Sequence, residues 1–321
     1  MAKTVSVAAV VPAYNSAQFL PGAIASIRQQ TAAIDEIIVV DDGSTDDTAA
    51  VVRRLGSDIR YIRQDNSGPS AARNAGIEAA RSHWIALLDA DDTWVPDKTR
   101  RQLALAERFP DLALIASDRS EVDATGTVIV ESLFQRHGLG SFFAQLEGRP
   151  IPDALARLVE KNFIPTSSVL VKREVVLNCG GFRTDLRFSE DMELWCRIAA
   201  RHPIACVAAV LTVYRRHGAN AVDRTEDMMR GLIKTMTALR ADYRDLLREA
   251  RRDPDELVAR QWANLGYYYF DQTQFGRARR SFLRSLREKP NRRAALYLMA
   301  SLLPPAAVRF GRQLKQAWSG R

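Results

Sequence analysis

The sequence carries two short acidic runs, and each follows directly on an apolar segment. Asp41-Asp42 comes after residues 36–40, and Asp89-Ala90-Asp91-Asp92 comes after residues 84–88. Adjacent carboxylates repel each other, so they cost stability unless they meet donors, a cation or a ligand. Carboxylate oxygens are also the ligands that Mg²⁺ and Mn²⁺ prefer. The second run therefore indicates a divalent-cation site, and with it a site for a phosphate-bearing ligand.

Both runs have a plainer interpretation as well. Residues 41–46, with the sequence DDGSTD, are typical of a turn followed by a helix cap, in which carboxylates accept backbone N–H groups. Residues 89–92 would in the same way be an acidic loop that caps the next helix. The position of the two acidic runs in the fold therefore bears on the choice between a ligand site and ordinary turn and cap chemistry.

Strand-like and helical segments alternate through the first ninety residues. The hydrophobic pattern predicts strands over residues 5–11, 36–40, 59–63 and 84–88, and helices over residues 17–30, 48–55 and 70–80. Such alternation predicts a mixed, mainly parallel α/β sheet of the Rossmann-like kind with helices on both faces. Ligands of these sheets bind outside the carboxyl ends of the strands, which is where both acidic runs fall.

The pattern changes character further along the chain. We predict strands over residues 112–117, 167–171 and 204–214, an irregular region over residues 138–152, and a helix that starts near Ser189. From Thr225 on, the sequence is helical throughout, and residues of about 259–292 have the spacing of one tetratricopeptide hairpin. A lone repeat cannot bury its own apolar face, so we expect it to pack on the first domain or on another chain. The predicted domains are residues 1–222 and an α-helical C-terminal extension, residues 223–321.

Five segments together resemble the family 2 glycosyltransferases of the GT-A fold, and they occur in that family's order. They are VVPAYN at residues 10–15, IIVVDDGSTD at 37–46, SGPSAARNAG at 67–76, LLDADD at 87–92 and SEDMELW at 189–195. The resemblance covers residues 5 to about 220. It implies a GT-A-type fold and an inverting, metal-dependent transfer of a hexosyl unit from a nucleotide-sugar, most often a UDP-sugar.

The resemblance also implies roles for residues at the strand ends. Pro12, Ala13 and Tyr14 line the base pocket, with Tyr14 stacking and Asp42 accepting a hydrogen bond from the base. The run from Asp89 through Ala90 to Asp92 contacts the diphosphate, sugar or ribose and holds Mn²⁺ or Mg²⁺. Asp91 corresponds best to the family's metal-binding carboxylate, and Asp92 is the second metal ligand that we predict.

Two basic side chains complete the predicted donor site. Arg73 lies in the loop-to-helix segment after Gly68, where a guanidinium can reach the diphosphate or an acidic side chain. His217 can supply a nitrogen ligand to the metal or lie near the phosphates. The alternatives are a surface arginine and a plain loop histidine.

The predicted catalytic pair is Glu190 and Asp191, at the start of a helix. An inverting transfer needs one carboxylate to take the proton of the acceptor hydroxyl, and we assign this role to Asp191. We expect the helix dipole to keep Asp191 ionised. The same dipole favours acids in the first turn of any helix, so the pair could also be ordinary helix chemistry.

Charge is distributed unevenly along the chain. Residues 1–224 hold 26 Lys/Arg and 28 Asp/Glu, whereas residues 225–321 hold 20 and 10. The basic C-terminal tail predicts either a peripheral contact with anionic lipid or a merely solvated face, and we expect no nucleic acid partner. Three cysteines without metal spacing, no export signal and no apolar run of about 20 residues predict a cytoplasmic protein, at most peripheral at the inner face of the cell membrane. The sequence leaves open whether the protein forms a homodimer.

The sequence-based hypothesis is therefore a hexosyltransferase that acts on a glycan or lipid-linked acceptor in cell-surface polysaccharide or lipopolysaccharide synthesis. A metal-dependent nucleotidyltransferase is the rival enzyme, but no Gly/Arg/Lys-rich phosphate loop follows the first strand. A redox Rossmann enzyme is disfavoured because GxGxxG is missing there. The non-enzymatic alternative is an interaction scaffold that works through the helical repeat.

Overall fold

The computed structural model describes residues 5–218 and 225–303 of the chain. These residues fall into two compact units, one on each side of the gap. The predicted boundary between residues 222 and 223 lies outside the described residues, as do residues 304–321 of the predicted basic tail.

The strands described in the first unit are β1 (Val7–Ala13), β2 (Glu36–Asp41), β3 (Ile59–Arg63), β4 (Trp84–Leu87), β5 (Thr93–Trp94), β6 (Leu114–Val122), β7 (Val128–Val130), β8 (Leu170–Lys172) and β9 (Ile204–Arg215). They form one sheet in the order β3-β2-β1-β4-β8-β6-β9-β5, and β7 pairs with β6. The pairs β3-β2, β2-β1, β1-β4 and β6-β9 are parallel, and the other pairs are antiparallel. The prediction of a mixed, mainly parallel sheet is confirmed.

Helices connect these strands and pack on the sheet. Gly76 shows how closely: a Cβ at this position would lie 2.4 Å from a methyl carbon of Val10, so only glycine lets α3 approach β1 this far. The helices of the first unit are α1 (Leu20–Arg28), α2 (Thr48–Leu55), α3 (Pro69–Ala79), α4 (Lys98–Arg108), α5 (Leu133–Arg136), α6 (Gly140–Leu146), α7 (Ala154–Glu160), α8 (Arg173–Asn178) and α9 (Glu190–Ala199).

The first strand extends further than its sequence pattern predicts. We expected Pro12 to end it, but Pro12 lies inside β1, opposite Val40 of β2. The pairing of β1 with β4 stops at Val10, so Pro12 has a strand neighbour on one side only. A residue without a backbone N–H is tolerated at such an edge.

Two predictions in the middle of the chain were wrong. The expected strand over residues 167–171 is a 3₁₀ turn, Thr166–Ser168, followed by the shorter β8. The region 138–152, expected to be irregular, contains helix α6. The first error matters for the site because a turn directs consecutive side chains differently from the strict alternation of a strand.

The described part of the second unit is entirely helical, as predicted. Its core joins α12, α13 and α14 around Phe270, Phe282 and Tyr297, and Ile233 of α10 belongs to the same cluster. The predicted hairpin, α12 with α13, therefore packs on α10 and α14 of its own unit. No helix in residues 5–218 or 225–303 is long and apolar enough to cross a bilayer. The helices are α10 (Thr225–Asp242), α11 (Arg244–Glu249), α12 (Pro254–Asp271), α13 (Phe275–Glu288) and α14 (Arg292–Ala300).

Candidate active site

The first residue of the acidic run at the end of β2 is used by the fold itself. Asp41 is completely buried, and its carboxylate accepts hydrogen bonds from the Ser44 N–H at 2.8 Å, the Tyr61 hydroxyl at 2.5 Å and Arg63 at 2.8 Å. Burial raises the pKa of Asp41, but the hydrogen bonds from Ser44 and Tyr61 outweigh it, so the pKa is lowered overall. Asp41 thus stays ionised as the anchor of the loop that follows β2.

The second acidic residue anchors a different loop. Asp42 is 4% exposed and accepts from the Gln64 side chain at 2.7 Å, the Ser67 N–H at 2.9 Å and the Gly68 N–H at 2.8 Å. A carboxylate offers about four acceptor positions, so these three donors leave one for a further N–H group. Asp42 therefore fixes the loop before α3 and keeps limited capacity for a ligand.

Tyr14, directly after β1, is 50% exposed although its neighbours in β1 are largely buried. Asn15 beside it has a left-handed backbone, with φ of 49°, and its side-chain oxygen accepts from the Thr45 N–H at 2.8 Å. Its own N–H donates to the Ser44 hydroxyl at 2.9 Å. Asn15 thus links the loops after β1 and β2 by hydrogen bonds. This role was not assigned from the sequence. The exposed Tyr14 ring lies beside these loops. The other predicted base-pocket residues, Pro12 and Ala13, lie in β1.

Arg73 joins two distant acidic segments. Its guanidinium donates to Asp89 at 2.8 Å and to Glu190 at 2.9 Å, and it lies over the ring of Phe182 at 5.4 Å. The residue is 5% exposed, and its Nε is buried without a hydrogen-bond partner. Burial lowers the pKa of Arg73, but the charges of Asp89 and Glu190 dominate and raise it. Arg73 is therefore a permanent buried cation between the loop after β4 and the start of α9.

Asp91 and His217 form a second contact. The Asp91 carboxylate lies 3.0 Å from His217 Nε2, and the imidazole stacks on Phe19 with ring centres 4.7 Å apart. Burial and the nearby Asp89 charge raise the pKa of Asp91, although the hydrogen bond to His217 opposes the shift. One carboxylate and one imidazole at this distance suit a divalent cation that takes its other ligands from phosphate and water.

Asp92 is engaged elsewhere. Its carboxylate is 3% exposed, accepts from the Ser167 hydroxyl at 2.5 Å, and lies 3.3 Å from the N–H of Arg215. Burial, followed by the charges of Asp91 and Asp89, raises its pKa well above the usual range. Within residues 5–218 and 225–303, no three His, Cys, Asp or Glu side chains are grouped as a metal site. The predicted set Asp91, Asp92 and His217 is therefore represented by the pair Asp91 and His217, with Ala90 buried between the acidic residues.

The acidic pair that opens α9 lies on the other side of Arg73. Ser189, which precedes it, has a left-handed backbone with φ of 61°, an uncommon conformation that is often found at functional sites. Asp191 accepts from the Met192 N–H at 2.6 Å and from the Thr166 hydroxyl at 3.3 Å. Burial raises the pKa of Asp191 and of its neighbour Glu190. The helix dipole that we expected to keep Asp191 readily ionised is thus outweighed by burial.

The site contains two hydroxyl side chains that the sequence analysis missed. Thr166 contacts Asp191, and Ser167 contacts Asp92 as well as the N–H of Asp89 at 3.1 Å. The strand predicted over residues 167–171 would direct neighbouring side chains to opposite faces, and Thr166 lies just outside it. The Pro165-Thr166-Ser167-Ser168 sequence, typical of a turn, was the signal available.

Comparison with known proteins identifies a family and several relatives. Residues 8–164 match the glycosyl transferase family 2 model. The succinoglycan biosynthesis protein ExoO of Rhizobium meliloti (strain 1021) is 48% identical over 122 residues, which are 37% of this chain and 34% of that protein. An uncharacterized glycosyltransferase, alr2836, of Nostoc sp. (strain PCC 7120) is 30% identical over 232 residues, 67% of this chain and 66% of that one. The chain thus matches about a third of ExoO and about two thirds of alr2836.

The fold has a solved counterpart. The structure of S. aureus TarS 1-349 in complex with UDP-GlcNAc superposes with a TM-score of 0.64 at 15% identity, over 91% of this chain and 83% of that one. At this identity the likeness shows the fold alone, and it agrees with the GT-A-type architecture predicted from the sequence. The family match over residues 8–164 and the two relatives together show that the chain belongs to glycosyltransferase family 2.

Proposed function

We propose that this protein is an inverting glycosyltransferase that moves a hexosyl unit from a UDP-sugar to a hydroxyl of a glycan or lipid-linked acceptor. The observation that carries the proposal is the buried Arg73 bridge between Asp89 and Glu190. It brings the acidic loop after β4 and the acidic pair of α9 to one place, although 117 positions separate Arg73 from Glu190. Two groups of carboxylates gathered at the carboxyl ends of a parallel sheet can serve a donor and an acceptor at once.

The likeness to ExoO supports a role in polysaccharide synthesis, since that protein acts in succinoglycan biosynthesis. TarS has been crystallised with UDP and with UDP-GlcNAc, which supports a UDP-sugar as donor. We extend the role in polysaccharide synthesis and the UDP-sugar donor to this chain as part of the proposal, with cell-surface polysaccharide or lipopolysaccharide as the product.

In this proposal the base of the nucleotide stacks on Tyr14, whose exposed ring stands at the end of β1. Pro12 and Ala13 line the same edge, and the remaining acceptor position of Asp42 takes the base N–H. Asp41 has no direct role because its carboxylate is completely buried and held by three hydrogen bonds from the fold.

Asp91 and His217 are the residues that fit a Mn²⁺ or Mg²⁺ ion, because they offer an oxygen and a nitrogen ligand at a partly open position. When bound, the cation neutralises charge on the departing UDP. Arg73 contributes a fixed positive charge behind Asp89, so that this carboxylate stays oriented toward the sugar side of the donor.

Asp191 takes the proton of the acceptor hydroxyl in the proposed reaction. Its raised pKa makes it a stronger base than an ordinary aspartate, and a base is most effective when its pKa approaches the working pH. The hydroxyl oxygen then attacks the anomeric carbon from the face opposite UDP, so no covalent enzyme intermediate is needed. Glu190 accepts a hydrogen bond from Arg73. In the proposed reaction it contacts the acceptor and does not take the proton of the acceptor hydroxyl.

Binding of UDP in the presence of Mn²⁺ tests the donor site. We expect calorimetry to show UDP binding that Mn²⁺ tightens about tenfold or more, because a cation held by Asp91 and His217 would neutralise charge on the diphosphate. Asp91→Asn should lose most of this metal dependence, whereas Asp111→Asn, at an exposed position, should behave as the wild type.

Absence of UDP binding with and without Mn²⁺ would contradict the proposal and favour the scaffold alternative. A hydrolysis screen across nucleotide-sugars then identifies the sugar, because slow donor hydrolysis needs no acceptor. The nucleotidyltransferase alternative is tested separately with UTP and a sugar 1-phosphate, from which such an enzyme would release pyrophosphate.

We further propose that the second unit contacts a membrane, so that the enzyme works at the cytoplasmic face on a lipid-linked acceptor. Four apolar residues at the C-terminal end of α14 and the turn after it are more than half exposed: Leu296, Met299, Leu302 and Leu303. Residues 275–303 hold eight Lys/Arg and one acid, Glu288, which is bonded to Arg240. Exposed apolar side chains beside basic ones favour an anionic lipid surface.

Vesicle sedimentation tests this contact. We expect the protein to bind phosphatidylglycerol vesicles and to bind phosphatidylcholine vesicles weakly, because each Arg or Lys near an anionic surface contributes about 1 kcal/mol. The double variant Leu296→Ser, Met299→Ser should lose most of the binding. The control, Val128→Ser with Ile129→Ser, removes two similarly exposed apolar residues from β7 and should bind normally. Equal sedimentation of both double variants would refute the assignment.

A further inference from the structure

The 3₁₀ turn Thr166–Ser168 contacts both halves of the candidate active site. Two consecutive residues direct their hydroxyl groups to carboxylates on different elements: Thr166 to Asp191 at the start of α9, and Ser167 to Asp92 after β4. Neither hydroxyl belongs to the set of residues discussed above for binding the nucleotide, the cation or the acceptor.

Ser167 holds the acidic loop at two points. Its hydroxyl donates to Asp92 at 2.5 Å and accepts from the N–H of Asp89 at 3.1 Å. A serine hydroxyl has one hydrogen to donate, so this arrangement fixes its direction. Because Asp91 lies between these two anchored residues, the side chain proposed to hold the cation depends on Ser167 for its position.

Thr166 contacts the other half of the candidate active site, at Asp191. Its hydroxyl lies 3.3 Å from Asp191, and Asn162 approaches the same carboxylate oxygen at 3.5 Å. The charged groups that influence Asp191 are Arg73, Asp89 and the adjacent Glu190. Thr166 is thus a neutral donor to one oxygen of the carboxylate, and the Met192 N–H holds the other, so the two donors together set its orientation.

The turn itself is held firmly in the core. The Ser167 carbonyl accepts from the Trp94 indole N–H at 2.8 Å, and the Ser168 carbonyl accepts from the Gln102 side chain at 2.8 Å. Thr166, Ser167 and Ser168 are 8%, 2% and 0% exposed. A buried turn with satisfied carbonyls has little freedom to move, so it can act as a fixed reference for the two carboxylates.

We propose that Thr166 and Ser167 are positioning residues that hold the acidic loop of the donor site and the base Asp191 at a fixed separation. The proposal rests on the function proposed above. Donor and acceptor must be held close to reactive geometry for transfer, and small misplacements reduce the rate strongly. The two hydroxyls divide this task, because one reaches only the donor side and the other only the base.

Three variants of the turn separate the two roles. Ser167→Ala should weaken UDP binding in the presence of Mn²⁺ about tenfold, because the loop that carries Asp91 loses its anchor. Thr166→Val, which has nearly the same shape, should lower kcat about tenfold and leave UDP affinity within twofold of the wild type, and Thr166→Ser should restore kcat. The matched control is Ser168→Ala, whose hydroxyl donates only to the Pro165 carbonyl and should affect neither quantity.

The outcomes distinguish the alternatives. If Ser167→Ala binds UDP and Mn²⁺ as Ser168→Ala does, or if Thr166→Val changes KM for the donor and kcat alike, the positioning role is wrong. Ser167→Cys, which keeps the volume and weakens the hydrogen bond, replaces Ser167→Ala if that variant does not fold. A wild-type protein that binds UDP but transfers and hydrolyses no sugar refutes the proposed function, while the comparison of UDP affinities still decides the role of Ser167.

Discussion

Replacing Asp191 by Asn should reduce transfer by about 10²- to 10⁴-fold, the range that a general base contributes, and leave UDP binding unchanged. Asn has nearly the same shape. Its side-chain oxygen can still accept from the Met192 N–H, and its amide N–H can donate to the Thr166 hydroxyl. The variant loses the ability to take a proton. Turnover with a saturating donor and UDP calorimetry measure the two quantities separately.

The pH profile gives the same assignment a second test. Burial raises the pKa of Asp191, so the acidic limb of kcat should lie above the ordinary aspartate value of about 3.9. The base works when it is deprotonated, and activity is therefore lost as the pH falls through this raised pKa. Glu190 and Asp191 titrate as a pair, so the limb belongs to both. In Asp191→Asn this limb should change shape or disappear.

Asp185→Asn is the control for this prediction. Asp185 lies six positions before Asp191, and its side chain is mostly exposed. Activity near the wild-type level in Asp191→Asn, or an equal loss in Asp185→Asn, would show that Asp191 is not the base.

The parallel half of the fold was accessible from the sequence because its signals are local. The predicted β3 and α2 have the observed bounds, and the acidic runs fall at strand ends as expected. Periodicity and turn residues determine such elements largely without reference to the rest of the chain. The resemblance to family 2 depended on the same local segments.

The contacts between these segments were not accessible. Nothing in the spacing of Asp41 and Asp42 shows that each carboxylate already accepts three hydrogen bonds from the fold. Donors such as Tyr61, Gln64 and Gly68 lie 20 to 26 positions away along the chain. The same holds for Asp92, whose partner Ser167 is 75 positions further on. Sequence position identified the acidic residues, but only the packing separates those that are held by the loops from those that stay available to the proposed ligands.

Replacing Arg73 by Met should be the most destabilising of the changes considered. The variant leaves Asp89 and Glu190 close together without the cation that now separates them, and removal of one partner of a buried ion pair costs about 3–5 kcal/mol. Urea unfolding followed by tryptophan fluorescence measures this loss. The exposed pair Arg28–Asp58 provides the control, since Arg28→Met should cost less than about 1 kcal/mol.

The pH dependence of this loss separates an electrostatic cause from a packing cause. Arg73 lowers the pKa of Glu190, so its removal raises that pKa further above the value in the unfolded chain. A carboxyl group whose pKa is raised by folding destabilises the folded state when ionised and ceases to do so once it is protonated. The deficit of Arg73→Met relative to the wild type should therefore shrink as the pH is lowered from neutral toward the raised pKa. If the loss of unfolding free energy is the same at every pH, Arg73 stabilises the protein mainly through its packing on Phe182. The ion pairs of Arg73 with the two acidic segments would then contribute little to stability.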